Sequence, residues 1–184
     1  MKYTAIRSEG GLLPYDLLDE ILEEAAPGQK APDFGLPKGR RVSDEVQRVW
    51  LDAQELWSRF KVGREKLTDK DPHGTTLTRD RWIGPILTDP VRLSYDLHFQ
   101  SSALVLGGLT FAISHRAGEP HDSPPVHIEG CGIELDKRPQ KYRVSPQAMV
   151  QEFLNRNESL LWGVVTNGLR FRLLRDSVRT ARPT

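Results

Sequence analysis

Leu160-Leu-Trp-Gly-Val-Val-Thr-Asn-Gly-Leu-Arg-Phe-Arg-Leu-Leu-Arg-Asp176 carries the clearest structural signal in this chain. Its first half contains residues that favour strands, such as Trp162 and Val164. Asn167-Gly168 follows, and this dipeptide is a strong signal for a two-residue hairpin turn in which both residues have positive φ. The stretch therefore predicts a strand, a tight turn and a second strand.

The second of these strands alternates in polarity. Leu169, Phe171 and Leu173 occupy every second position, and Arg170 and Arg172 lie between them. Successive side chains of a strand point to opposite faces of a sheet. The alternation therefore predicts one buried apolar face and one exposed basic face.

A helix that begins at Pro146 precedes this hairpin, and several strand-like segments precede the helix. Gly107-Gly108 predicts the turn of another hairpin, because glycine tolerates the positive φ that such turns require. The other segments alternate in polarity or contain strand-forming residues between turn signals. The predicted strands are 93–99, 103–106, 109–114 and 126–131.

The first ninety residues predict helices. Apolar residues recur at helical spacing between Leu13 and Leu22, and Ser43 can cap a second helix. Thr78 can cap a short third helix, in which Pro85 predicts a kink. The second helix carries an apolar stripe that we expect to be buried, consisting of Val46, Val49, Trp50, Ala53, Trp57 and Phe60.

The order of these elements predicts an α+β fold. A helical arm is expected over residues 1–90, and a mixed, mainly antiparallel sheet with one inserted helix over residues 91–184. The chain has 184 residues, of which 38% are hydrophobic and 28% charged, as is typical of soluble globular proteins. Its net charge of +1 gives no global field that would attract nucleic acid.

Composition also excludes several classes of protein. Cys131 is the only cysteine, which excludes an intramolecular disulfide and a cysteine-rich zinc site. No apolar run is long enough to span a membrane, and the first residues lack the apolar stretch of a signal peptide. We therefore expect a cytoplasmic protein that has no membrane partner.

Seven segments occur in an order that resembles a known family. The chain is similar to the N-terminal region of large class I S-adenosylmethionine-dependent DNA (adenine) methyltransferases of restriction–modification and phage-defence systems. That resemblance implies a degenerate, restriction-endonuclease-like fold. The segments are Ser8–Pro14, Asp33–Pro37, Leu77–Trp82, Ile113–Arg116, Pro125–Ile128, Val150–Arg156 and the closing hairpin.

The resemblance also implies what this chain lacks. Members of that family are far longer, and their methylase core carries an Asn-Pro-Pro-Tyr motif and a glycine-containing cofactor loop, neither of which occurs here. S-adenosylmethionine is expected for the full-length family, and we expect this chain to bind no cofactor and to methylate no DNA alone. Its expected role is targeting or scaffolding, with DNA and a methylase core, in cis or in trans, as partners. The alternatives are a Mg²⁺-dependent endonuclease domain and a non-catalytic subunit of a separate methylase chain.

An active nuclease of the fold that the resemblance implies has an aspartate on one strand and Glu-x-Lys on the next. The strand before the Pro146 helix contains Glu129, Glu134, Asp136 and Lys137, but none of them forms Glu-x-Lys as spaced. A β-bulge between Glu134 and Lys137 would place the two side chains on a common face. Gln151 is a further weak candidate, because in nuclease relatives a glutamine on this helix points toward the catalytic edge.

Two other groups of residues suggest binding. Arg170, Arg172 and Arg175 belong to a terminal stretch that is rich in arginine, and are weak candidates for contact with DNA phosphates. A second group could suggest a metal site, but its spacing fits no standard ligand motif. Surface or hydrogen-bonded histidines are the expectation, and no metal site is predicted. That second group consists of His115, His121, Asp122 and His127.

Overall fold

The computed structural model of the protein describes residues 3–37, 39–89, 96–118, 123–140 and 142–177. The chain divides into two compact units, Met1–Leu51 and Asp52–Thr184. This division falls before the boundary near residue 90 that the sequence suggests. The helical residues 52–64 and 75–88 therefore belong to the same unit as the sheet.

The first unit contains the helix that the leucine spacing predicts. Helix α1 spans Tyr15–Leu22, after Pro14, and buries Leu18. The Tyr3 hydroxyl forms a hydrogen bond with the Asp19 carboxylate. A turn of 3-10 helix follows at Ala31–Phe34.

Helix α2 spans Val42–Arg64, and its predicted apolar stripe is only partly buried. Ala53 and Phe60 are buried, but Val46 and Trp50 are each 61% exposed, so the prediction is wrong for these two side chains. The helix packs where Ala53 and Leu56 contact Ile86. The buried stripe is therefore displaced around the helix toward Leu56, and Trp50 falls outside it.

The third helical segment begins earlier than predicted. Helix α3 spans Thr75–Thr78, a π-helical turn spans Arg79–Ile83, and helix α4 spans Gly84–Thr88. Thr78 is not the cap, since it is fully buried and its Oγ1 accepts a hydrogen bond from the Cys131 N–H at 3.0 Å. The π-turn immediately precedes Pro85, where proline lacks the N–H that a regular helix needs, so the helix changes its winding there instead of ending.

The second unit contains a five-stranded sheet in the order β1-β4-β5-β6-β7, and a separate hairpin of β2 and β3. All strand pairs are antiparallel except β5 and β6, which are parallel and are joined through helix α5, Pro146–Arg156. The predicted α+β fold with an inserted helix is therefore confirmed. The strands are β1 Leu97–Phe99, β2 Leu104–Leu106, β3 Leu109–Phe111, β4 His115–Ala117, β5 Pro125–Ile128, β6 Trp162–Thr166 and β7 Phe171–Arg175.

The individual strand predictions have mixed outcomes. The Gly107-Gly108 turn is confirmed, with both residues at positive φ between β2 and β3. The strand predicted over 126–131 spans Pro125–Ile128 and ends before Cys131, because the chain turns at Gly130 to approach the backbone of His73. Of the strand predicted over 93–99, residues 93–95 lie outside the described residues.

The sheet is covered differently on its two faces. Helix α5 lies on one face, where Val150, Phe153 and Leu154 pack with Val165 and Leu174. On the other face, Ile83 of the π-helical turn packs against β5 at Val126 and Ile128. The N-cap of α5 is Ser145, whose hydroxyl accepts a hydrogen bond from the Ala148 N–H, and the predicted start at Pro146 is confirmed.

The closing hairpin exists, but its turn and its buried face differ from the prediction. Thr166 pairs with Phe171, so the loop has four residues, and of the dipeptide only Gly168 has positive φ. The Asn167 side chain closes the loop instead, with Oδ1 accepting hydrogen bonds from the N–H groups of Leu169 and Arg170.

The face of β7 that was expected to be buried is exposed. Leu169, Phe171 and Leu173 are 40%, 53% and 43% exposed, whereas Leu174 is buried against α5. The other set of β7 residues, Arg172 and Leu174, lies on the face that packs against α5. The charge of Arg172 on this inner face is paired with Asp136.

Candidate functional site

Strand β5 places two polar side chains inside the protein. His127 and Glu129 lie two positions apart and therefore project to the same face of the sheet. His127 Nε2 lies 3.1 Å from Glu129 Oε1, and the two residues are 2% and 1% exposed. The Glu129 N–H donates to the Thr166 carbonyl at 2.8 Å, which holds the pair at the centre of the sheet.

The hydrogen bonds around His127 determine which ring nitrogen carries the proton. The backbone N–H of Ser114 donates to His127 Nδ1 at 3.3 Å. Because Nδ1 is an acceptor, Nε2 carries a proton and donates it to the Glu129 carboxylate. The imidazole therefore ties the segment before β4 to the end of β5.

Tyr142 completes this polar cluster. Its hydroxyl forms a hydrogen bond with Glu129, and its ring meets the His127 imidazole edge-on at 6.2 Å between centroids. Burial raises the pKa of the Tyr142 phenol above its ordinary value, and the negative charge of Glu129 adds to the shift. Tyr142 therefore stays protonated and acts as a donor. The Glu129 carboxylate is thus held by two protein donors and is closed to solvent.

His115 lies on β4, at an open cleft with a volume of ≈ 540 Å³. Its Nδ1 is 2.8 Å from the Ser114 hydroxyl, which accepts a hydrogen bond from the Ile128 N–H at 2.8 Å. Burial lowers the pKa of His115 to about 4, and the positive charge of Arg79 contributes to the shift. His115 is therefore neutral near pH 7.

The rest of the cleft combines an ion pair with apolar surface. Arg79 Nε lies 2.7 Å from the Asp80 carboxylate, and the Arg79 guanidinium lies 5.5 Å from the centre of the Phe99 ring. Ser114 is not among the residues that line the cleft, so the Ser114–His115 contact does not present a nucleophile there. The geometry provides for hydrogen bonding and stacking.

The remaining nuclease candidates lie on a turn after β5 and not on a strand. Lys137 Nζ is 2.7 Å from Glu134 Oε1, and the Lys137 N–H donates to the Glu134 carbonyl at 3.3 Å. Asp136 forms a two-point ion pair with Arg172, with 2.6 Å between Nη2 and Oδ2. A β-bulge does not bring Glu134 and Lys137 to a common strand face, because this segment has no strand pairing.

Gln151 on helix α5 is directed toward the last strand. Its Nε2 donates to the Arg175 carbonyl and to Asn155 Oδ1, both at 2.9 Å. These bonds connect α5 to the outer side of β7. Among the described residues, the hydrogen bonds of the Gln151 side chain thus join α5 to β7, and none of them reaches Glu129.

The three arginines proposed to contact DNA occupy different environments. Arg170 is exposed in the hairpin loop and does not belong to β7. Arg172 is partly buried, where it binds Asp136 and the Gln147 side chain. Arg175 is exposed, with its guanidinium 5.6 Å from the centre of the Trp162 ring.

The histidines do not assemble a metal site within the part of the chain that the structure describes. No group of three His, Cys, Asp or Glu side chains there could hold an ion. His115 and His127 are hydrogen-bonded, whereas His121 and Asp122 lie outside the described residues.

Sequence reasoning missed the residues that join distant segments. Asn167 Nδ2 donates to the Ile133 carbonyl at 2.8 Å, and Trp82 Nε1 donates to the Gly168 carbonyl at 2.8 Å. The spacing of His127 and Glu129 on a predicted strand could have indicated their pairing. Nothing in the sequence signals Tyr142, which reaches them from an irregular segment.

Comparisons with known proteins give no relative. No family model, no curated protein and no solved structure matches this chain. Among the described residues, no helix is both long enough and apolar enough to cross a membrane.

Proposed function

We propose that this chain is a non-catalytic targeting or scaffolding region of a restriction–modification or phage-defence DNA adenine methyltransferase. The observation that carries the proposal is the engagement of its acidic residues within the protein. Glu129 is bound by His127 and Tyr142, Glu134 by Lys137, and Asp136 by Arg172. The carboxylates nearest to the expected nuclease position thus serve the fold.

The architecture supports the nuclease-like part of the proposal. The resemblance implies a mixed sheet in which a helix is inserted between the strand expected to carry Glu-x-Lys and the closing hairpin. Helix α5 lies between β5 and β6 in this way, and Glu129 follows directly after β5. A Mg²⁺-dependent nuclease needs two or more oxygen ligands that are open to the ion and to DNA. Glu129, at 1% exposure, offers no such access.

The endonuclease reading remains the second candidate, because Glu129 occupies the expected strand end. Supercoiled plasmid incubated with the full chain and Mg²⁺ tests it, with Glu129→Gln as the matched variant. We expect no nicking above the level of a protein-free sample with either protein. Mg²⁺-dependent nicking that Glu129→Gln abolishes would replace the scaffold proposal with the nuclease.

The scaffold role requires a methylase core, in cis or in trans, and S-adenosylmethionine bound there. Sequencing of the DNA downstream of the Thr184 codon tests this requirement, since we expect a reading frame with an Asn-Pro-Pro-Tyr motif. Co-expression of that frame with the tagged chain should yield both polypeptides in one complex. The absence of any such frame, or of the complex, would contradict the proposal.

A contact between the closing hairpin and DNA would have to use Arg170 and Arg175, because the charge of Arg172 is paired. Replacing Arg170 and Arg175 with glutamate should weaken duplex binding by the assembled methyltransferase and flatten the dependence of log K on log salt. The double variant Lys66→Glu and Lys70→Glu is the control for net charge, because it reverses the same number of positive charges and both lysines are exposed and distant in sequence from β7. An unchanged salt slope in the double variant would remove these arginines from the DNA interface.

A further inference from the structure

Strand β7 is the last described strand of the sheet, and no strand among the described residues pairs with its outer edge. The Asn167 N–H donates to the Arg170 carbonyl, and the Asp176 N–H donates to the Leu161 carbonyl. In an antiparallel ladder, hydrogen-bonded pairs alternate, so Arg172 and Leu174 are the residues that bond to β6.

The N–H and C=O groups of Phe171 and Leu173 therefore point away from β6. The Arg175 carbonyl points the same way, and it accepts the hydrogen bond from Gln151 Nε2. No described residue bonds to the backbone of Phe171 or Leu173. Four backbone hydrogen-bonding groups are thus available at this edge, with the Arg175 N–H as a fifth.

An apolar strip runs along the same edge. Phe171 and Leu173 are 53% and 43% exposed, and both project to the face opposite α5. Their neighbours on that face are Val164, opposite Leu173, and Trp162, opposite Arg175. A strand added beside β7 would place every second side chain against this strip.

The charge of the edge is positive. Arg170 and Arg175 are exposed, and neither forms an ion pair with a carboxylate among the described residues. The nearby acid in sequence, Asp176, is only 2% exposed. The edge therefore has one arginine at each end of a pair of apolar side chains.

We propose that the edge of β7 binds an extended segment of a partner protein, in which apolar and acidic side chains share one face. The partner strand would continue the sheet by main-chain hydrogen bonds. Because Phe171, Leu173 and Arg175 project to the same face, its apolar side chains would cover Phe171 and Leu173, and an acidic side chain on that face would meet Arg175. A second acidic side chain would meet Arg170 in the loop beyond the other end of the strip. This inference goes beyond the proposed function, since it requires neither DNA nor a methylase, and a segment bound at this edge would compete with DNA for Arg170 and Arg175.

Two other occupants fit the edge less well. DNA phosphates would engage the arginines but would desolvate Phe171 and Leu173 without covering them. A second copy of this chain would bring two basic edges together, and like charges on adjacent strands destabilise the pairing. An acidic and apolar strand satisfies the backbone, the apolar strip and the charge together.

The probe is the acetylated and amidated heptapeptide Glu-Thr-Val-Thr-Val-Thr-Glu, in which the valines and glutamates share one face of a strand, and its control has lysine in place of glutamate. We expect the full chain to bind the acidic peptide at least about tenfold more tightly in fluorescence anisotropy. Amide chemical-shift changes in the ¹⁵N-labelled chain should be confined to β7 and its loop. Equal binding of both peptides, no binding of either, or shift changes elsewhere would overturn the proposal.

Three variants identify the edge as the site. Leu173→Pro removes an outward N–H and leaves both exposed arginines, and proline is tolerated where the N–H of an edge strand faces solvent. We expect it to abolish peptide binding. Arg175→Glu should weaken binding by about fivefold, as for an exposed ion pair, while Lys70→Glu should have no effect. Arg175→Glu keeps the test valid if Leu173→Pro does not fold.

The alternative occupants give distinct results. A concentration-dependent dimer that Arg175→Glu strengthens, and that competes with the peptide, would assign the edge to a second copy and overturn the proposal. DNA binding that is lost in Arg175→Glu but kept in Leu173→Pro, without peptide binding, would assign the arginines to nucleic acid and also overturn it. Peptide binding that is lost in Leu173→Pro and weakened in Arg175→Glu supports the partner strand.

Discussion

Replacing Asn167 with alanine should destabilise the second unit through the loss of three hydrogen bonds. Asn167 Oδ1 accepts from the Leu169 N–H at 3.1 Å and from the Arg170 N–H at 3.0 Å, and Nδ2 donates to the Ile133 carbonyl at 2.8 Å. A typical hydrogen bond contributes about 1 kcal/mol net, and a buried group left unsatisfied costs more. Because Asn167 is buried, we expect the free energy of unfolding to fall by about 3 kcal/mol.

Asn157→Ala is the matched control for this substitution. Asn157 also accepts hydrogen bonds from two following N–H groups, those of Ser159 and Leu160, at 3.0 and 3.1 Å. Among the described residues Asn157 donates no hydrogen bond to a distant segment, and it lies at the exposed end of α5, so its loss should cost about 1 kcal/mol.

Urea unfolding, followed by circular dichroism and tryptophan fluorescence, measures both variants. The expected difference of about 2 kcal/mol represents the buried bond to Ile133 and the burial of the loop. Equal destabilisation by the two substitutions would refute the reasoning, because it would show that Asn167 acts only within its own loop. A fall in the slope m as well as in the midpoint would indicate a change in the unfolded or native ensemble instead.

Three further predictions concern other parts of the second unit. Gly130→Ala should lower stability by about 2–3 kcal/mol in urea unfolding, because its Cβ would lie 2.2 Å from the His73 carbonyl oxygen, whereas Gly132→Ala, with its nearest atom at 3.3 Å, should cost clearly less. The pKa of His115 is about 4 in the folded protein and 6.5 ordinarily, so its contribution to stability is complete above pH 6.5 and is lost as the pH falls toward 4. The melting temperature of His115→Gln should therefore fall less than that of the original chain over this range, and an NMR titration midpoint of His115 near 6.5 would disprove the shift. The Cys131 thiol is buried, so a disulfide reagent should modify it only as fast as the protein opens, and immediate modification in native buffer would contradict the structure.

Local patterns predicted the elements whose signals lie within a few residues. Gly107-Gly108 specified its turn because positive φ is a property of the residue itself. The start of α5 at Pro146 followed from the fixed φ of proline, and Ser145 supplies the cap. The closing hairpin was also found, because strand-forming residues surround a turn signal on both sides.

The details of that hairpin could not be predicted, because distant residues determine them. The Asn167 side chain reaches the Ile133 carbonyl, 34 positions away, and closes a four-residue loop in place of a two-residue turn. Alternation showed that the two faces of β7 differ but not which face is buried. That choice depends on α5, where Gln147 binds Arg172, and on the ion pair of Arg172 with Asp136.

In the candidate site, too, contacts between neighbouring residues could be predicted and contacts between distant segments could not. The sequence pointed to Glu129 and His127 separately, Glu129 as a weak nuclease candidate and His127 as a surface or hydrogen-bonded histidine. On a strand they share one face, so the shorter explanation is that they bind each other. Tyr142 could not be anticipated, because no periodic pattern places an irregular segment over β5.

The distribution of polar groups in the second unit explains why its function is best sought at the edge of the sheet. A buried carboxylate is costly unless protein donors satisfy it, and His127 and Tyr142 do so for Glu129. That arrangement stabilises one conformation but leaves no open ligand for an ion. At β7 the reverse holds, since backbone groups and the side chains of Phe171 and Leu173 meet solvent where native sheets normally protect an edge. Exposed apolar side chains of this kind favour association, because a partner that covers them removes their apolar surface from water.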